Sequence, residues 1–225
     1  MKIADATTER LRLRRWREED REPFFQMCQD PDVKCYLLPI TNRAASNAFI
    51  ERLENHFDTN GFGMCAAERC DTGEFIGIIG LQVPRILLTT EPCVEAGWRL
   101  CRSAWGQGFA QQRAAAAIEA GFSRLGLTEI VAVTAIQNER SWRVMERLGM
   151  LRDAKTFAHP ALAADHPLSE HFLYRKQRGQ SALISPALDA IRRISVGFSA
   201  QPTCCHATIN RANERKSSRC FVQIA

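Results

Sequence analysis

The alternation of polar and apolar residues in Glu9-Arg10-Leu11-Arg12-Leu13-Arg14 has the two-residue period of a half-exposed strand, which Trp16 ends. The period then lengthens. Phe24, Phe25, Met27 and Cys28 fall on one helical stripe over 18–29, and Asp30-Pro31 stops it, because a residue before proline is driven out of the helical region. A second helix is predicted over 43–57, with Asn42 as its cap and Ala45, Phe49, Ile50, Leu53 and Phe57 turned inward. An antiparallel set follows: a strand over 62–69, a turn at Asp71-Thr72-Gly73, its partner over 75–83, and a third apolar run over 93–100. Beyond a turn holding Gly106 and Gly108 come an alanine-rich helix over 110–122 and a buried strand over 130–136. A short helix over 139–148, closed by Gly149, precedes a last strand over 171–175. This order predicts an α+β domain, a single mixed, mostly antiparallel sheet flanked by helices, filling residues 1–178.

Composition narrows the class. A chain of 225 residues, 45% hydrophobic and 24% charged, suits a globular protein with one well-buried core. No apolar run approaches the roughly 18 residues of a membrane span, and the first residues lack a secretory signal, so a cytoplasmic protein is expected. The nine cysteines are odd in number and form no C-x-x-C pair, so they are read as small apolar residues. His159, His166 and His171 gather near Asp165 without the spacing of a two-ligand helix motif, and no metal is expected.

The net charge of +5 is unevenly spread. From residue 179 onward, six basic residues face two acidic ones, a net +4, which leaves +1 on the rest of the chain. A nearly neutral body argues against a nucleic-acid-binding face. Within the basic tail, 179–225, Leu188, Ile191 and Ile194 after Ser185-Pro186 predict a short helix near 186–196; the remainder is aperiodic and expected to be poorly ordered.

Two elements carry candidate chemistry. A helix N-terminus presents unpaired backbone N–H groups and the positive end of the helix dipole. In Trp105-Gly106-Gln107-Gly108-Phe109-Ala110 the glycines let that backbone approach a bulky anion. Glycines serving packing alone would give the same pattern. No Lys-Ser or Lys-Thr follows, and Gln111 stands where a dinucleotide turn needs glycine. Past the strand over 130–136, Asn138 is placed either to hydrogen-bond an amide-bearing ligand or simply to cap its helix, and Ser141 puts a hydroxyl at the head of that helix.

The pair W-G-Q-G-F-A and N-E-R-S-W-R-V-M-E-R-L-G-M resembles the acetyl-CoA-binding core of the GNAT superfamily of N-acetyltransferases, and within it the RimJ/RimL-type group. The opening T-E-R-L-R-L-R-R-W, the strand V-E-A-G-W-R-L and the late segment 157–175 resemble the same group, so the likeness runs over about 8–178. Trp105 departs from the superfamily's usual Gln or Arg. Gln111-Gln112 departs from the group's usual Thr-Glu, and Gln112 cannot act as a carboxylate.

The resemblance implies the GNAT fold, with a V-shaped opening between the strands ending near Leu100 and Ile136. It implies acetyl-CoA as cosubstrate, held by Trp98, Arg99, Leu100, Trp105, Gly106, Gln107, Gly108, Phe109, Ala110, Asn138 and Ser141. Acetyl would pass directly to a primary amine in a ternary complex, with a main-chain N–H near Trp98 stabilising the oxyanion. Glu95, a lone carboxylate in an apolar strand, is the candidate general base; a solvent-facing edge carboxylate would look the same. Ser141 is expected to protonate or orient the departing thiolate. His159 and Tyr174 are candidates for the acceptor pocket, while Trp16, Trp98 and Trp142 are read as core. The acceptor is a protein N-terminal amine, or alternatively a small-molecule amine such as an antibiotic or polyamine. A non-catalytic CoA-binding module is the other alternative, and a homodimer is allowed.

Overall fold

The computed structural model describes residues 9–86, 88 and 92–179. The predicted helix near 186–196 and the rest of the basic tail lie outside them. Eight strands form one mixed sheet. In chain order they are β1 (Leu11–Arg14), β2 (Met64–Arg69), β3 (Phe75–Gln82), β4 (Glu95–Leu100), β5 (Glu129–Ala135), β6 (Leu151–Arg152), β7 (Phe157–Ala158) and β8 (Glu170–Gln177). Spatially the order is β1-β2-β3-β4-β5-β8-β6, with β7 on β8, and only β4–β5 is parallel. The helices are α1 (Arg21–Gln29), α2 (Pro31–Lys34), α3 (Arg43–Asn60), α4 (Phe109–Arg124) and α5 (Glu139–Arg147). No described helix is long and apolar enough to cross a membrane.

Three differences from the sequence reading have local causes. The helix expected over 18–29 divides: Glu18–Asp20 is a 3-10 turn and α1 starts at Arg21. The buried Asp20 carboxylate is pulled to the Arg14 guanidinium (2.6 and 2.8 Å) and to the Arg17 N–H (2.8 Å), so it caps the turn and fixes the break. Asp30-Pro31 ends α1 as expected but also starts α2, because proline suits the first helical position and the Asp30 side chain accepts from the Asp32 N–H (2.8 Å). The two-residue strands β6 and β7 escaped notice because so short a run has no readable period.

The sheet separates two cores. Alternation turns Ile79, Leu81, Ala96, Trp98 and Leu100 toward α4 and α5, where Phe109, Ala114, Ile118 and Met145 meet them. Met64, Ala66 and Ile78 face the other way, onto Phe24 of α1 and Phe49, Ile50 and Leu53 of α3. Phe24 stacks on Phe49 at 5.3 Å and meets Trp16 edge-on at 5.2 Å. Each fully buried side chain of this size stabilises the fold by about 1.5–3 kcal/mol. Such rigidity on both faces is what holds the sheet at the one place where it opens.

Candidate active site

That place lies between β4 and β5. Glu95 and Val131 are the single register pair joining them, with the Val131 N–H donating to Val94 O at 2.9 Å. Backbone groups along a strand point alternately to its two sides, so the main chain of Trp98 and Leu100 faces β5, while the Cys101 N–H turns to Ile76 O on β3. Beyond the Glu95–Val131 pair no strand among the described residues meets that edge, and the two strands part into a V. A cavity of about 420 Å³ occupies its open end, lined by Trp98, Arg99, Leu100, the 105–111 turn and α5, and by Asp32, Val33, Tyr36 and Leu37 at the far side.

The turn has an open, left-handed backbone. Gly106 and Gly108 take φ of 73° and 77°, the left-handed region that side chains resist. A Cβ on Gly106 would meet no atom within 4 Å, and one on Gly108 only the Arg10 Nη2 at 3.9 Å, so packing does not account for these glycines. Gly108 is the α4 N-cap and supplies no side-chain acceptor, which leaves the N–H groups of Phe109, Ala110 and Gln111 to the cavity. The Trp105 indole N–H donates to Leu100 O at 2.9 Å, tying the turn to the strand end, and the Arg140 guanidinium lies 4.1 Å over the Trp105 ring. Gln107 lies in the turn but does not line the cavity.

Asn138 caps α5, its Oδ1 accepting from the Ser141 N–H at 3.4 Å, and it also lines the cavity. Ser141 is 6% exposed, and its Oγ is buried at the cavity without a hydrogen-bond partner among the described residues. An orphaned buried hydroxyl costs about 1–3 kcal/mol unless a bound molecule supplies its partner.

Glu95 sits at the closed vertex of the V. Far from being an edge carboxylate, it is 4% exposed in an interior strand. Burial pushes its carboxyl up to about 7, against the pull of the Gln82 amide, which donates to it at 2.8 Å across the β3–β4 pair. Its side of β4 is also that of Arg99, whose guanidinium reaches the Cys28 thiol on α1 at 3.3 Å. Base candidate and α4 turn thus lie at opposite ends of β4, with the Glu95 side chain outside the cavity lining.

Two candidates fall elsewhere. The Tyr174 hydroxyl donates to Glu146 at 3.3 Å within the α5 core. His159 is buried against His171 at 4.7 Å and Phe157, on the β7–β8 side; burial first, then His171, pushes it down to about 4. Neither lines the cavity. Conversely, Arg140, Arg143 and Arg147 do, and their i, i+3, i+7 spacing along one α5 face was the signal that could have found them. Gln82 gave no signal, since only strand register brings it to Glu95. No cluster of three or more potential metal ligands occurs among the described residues.

Comparison with known proteins agrees with this geometry. The acetyltransferase (GNAT) domain family matches residues 10–151. The chain belongs to that family. Relatives include the protein YkkB of Bacillus subtilis, 30% identical over 144 residues, with 64% of this chain and 83% of that protein covered. The N-acetyltransferase p20 of Bacillus licheniformis is 30% identical over 156 residues, covering 65% and 84%. An Aspergillus fumigatus FsC-acetyl coenzyme A-N(2)-transacetylase is 28% identical over 152 residues, covering 64% and 63%. Among solved structures, an Agrobacterium tumefaciens acetyltransferase superposes with a TM-score of 0.61 at 25% identity, covering 77% of this chain and 94% of that one. RimL, in complex with coenzyme A, superposes at 0.63 and 16% identity, with 77% and 97% covered, a likeness of fold. The family's donor is acetyl-CoA and the chain is an N-acetyltransferase.

Proposed function

We propose that the acetyl group passes directly from acetyl-CoA to the α-amine of a protein N-terminus, with Glu95 as general base. The observation that carries this reading is the buried Glu95 carboxyl at the vertex of the V, raised to about 7. A model α-ammonium, with a pKa of about 7.7–8.0, can hand its proton to such a base for about 1 kcal/mol, whereas a lysine at about 10.4 would require about 5 kcal/mol. Base and acceptor are matched.

The residues that would hold the donor fit its chemistry. Its phosphates suit the free N–H groups of Phe109, Ala110 and Gln111 together with Arg140, Arg143 and Arg147. Its amide-bearing arm suits the main chain of Trp98 and the Leu100 N–H, which face the gap while Leu100 O is held by the Trp105 indole, and a Trp98 N–H aimed into the gap suits a developing oxyanion. The amine's C–N bond forms as the thioester C–S bond breaks. Glu95 takes the ammonium proton, the nitrogen sheds its second proton to solvent as the amide forms, and the Ser141 hydroxyl passes one to the departing sulfur and regains one from solvent. A small-molecule amine is the second reading, supported by the relative named for N(2)-transacetylation.

The full chain with acetyl-CoA and a panel of free-N-terminal peptides, lysine side-chain amines and polyamines tests this. Peptide Nα-acetylation seen by mass spectrometry, matched by thiol release, is expected. Acetylation confined to ε-amines or polyamines, or an unchanged rate in Glu95→Gln, would overturn it.

A further inference from the structure

Arg10 reaches 97 residues along the chain to the glycine turn. Its Nη1 donates to Gln107 O at 3.1 Å and its Nη2 to the Gln112 Oε1 at 3.0 Å, so one guanidinium fastens the turn to the second turn of α4. The same group lies over the Phe109 ring, 4.9 Å from its centroid, and close beside Gly108. Every one of these partners is neutral. Among the described residues no carboxylate pairs with Arg10.

A cation at a helix N-terminus opposes the helix dipole and is unfavourable there unless an anion is also present. A carboxylate at 112 would relieve the conflict. Gln112 instead holds the guanidinium in place and leaves its charge undiminished. The cavity at this helix end independently points to a ligand, since the Ser141 Oγ, in a residue 6% exposed, lines it without a partner among the described residues.

We propose that Arg10, held by Gln112, is a positioning residue that fixes the glycine turn and adds a positive charge, paired with no carboxylate among the described residues, to the phosphate-binding end of the cavity. This rests on the reading that the cavity takes acetyl-CoA. Arg10 does not itself line the cavity but packs behind Gly108 and Phe109, which do. It acts through the Gln107 carbonyl and through its field, which reaches the cavity because about 10 Å of screening length remains at moderate salt.

Calorimetric titration of the full chain with coenzyme A, without acceptor, tests it at low salt and at 0.5 M salt. Gln112→Glu is expected to weaken binding about two- to fivefold at low salt, the effect of one charge at a helix end, and to approach the parent at high salt. Arg10→Met should lose more, and Arg10→Lys, which keeps the charge but not the fork, should recover part. Unliganded melting temperatures identify any variant that fails to fold, and the Arg10 pair then stands without Gln112→Glu. Binding by Gln112→Glu as tight as the parent at low salt, or Arg10→Lys as weak as Arg10→Met, overturns the proposal. A parent chain that does not bind coenzyme A would instead remove the reading beneath it.

Discussion

The Gln82 side chain donates a 2.8 Å hydrogen bond to Glu95, its direct cross-strand partner, at the vertex where β4 and β5 part. That bond is the one contact favouring the ionised carboxylate against burial. Gln82→Leu should therefore raise the Glu95 pKa and move the acid limb of the kcat/KM profile above its expected midpoint of about 7. A loss of rate at every pH with no shift of the limb would count against this.

Glu95 carries a linked consequence for stability. A carboxyl raised from 4.5 to about 7 binds its proton more tightly folded than unfolded, so its contribution declines as pH rises through that window. Glu95→Gln should be less active yet more stable than the parent at pH 8, by up to about 3 kcal/mol. Denaturant titrations at pH 5 and pH 8 check the sign: the gap should open at pH 8.

Gly108→Val places a β-branched residue at φ 77°. The strain of about 1–2 kcal/mol must distort the turn or tilt the first N–H groups of α4 away from the cavity. Coenzyme A affinity should fall at least tenfold by calorimetry while the sheet and helices keep the far-ultraviolet spectrum unchanged.

Ser141→Ala separates chemistry from binding. The orphaned hydroxyl makes no protein hydrogen bond to lose, so the variant should melt at or above the parent temperature. Its kcat should fall about a hundredfold if proton transfer to sulfur is lost, with coenzyme A affinity within about twofold. A drop in melting temperature would show that the hydroxyl serves the fold.

His159, pushed down to about 4, stays neutral while an unfolded histidine takes up a proton near 6.5. The His159 contribution to stability should therefore rise with pH between about 4 and 6.5, opposite in sign to that of Glu95. Nuclear magnetic resonance should find the His159 ring signals unmoved until the pH approaches 4.

The sequence made the large elements readable because their periods were long. The alanine-rich helix and the strands around Ile79 and Val131 all lie within two or three residues of their predicted positions. The glycine turn and Asn138-to-Ser141 could be read because a helix start has a local signature. Gln82 and Arg10 could not, since each acts on a residue that only sheet register or tertiary packing brings near. The placement of His159 and Tyr174 could not be read for the same reason. Their position late in the chain says nothing about which side of β8 they face, and both turned out to be packed away from the cavity.

A sheet whose interior strands share only one register pair contains, within its own body, the adhesive rim that other proteins take care to hide at their margins. The rules that join strands suit that rim to an extended, amide-studded molecule of strand-like width, whatever its chemical name. Short peptidomimetic strands carrying an anionic head should therefore compete for the groove, and inhibitor design for this chain can begin from β-strand geometry.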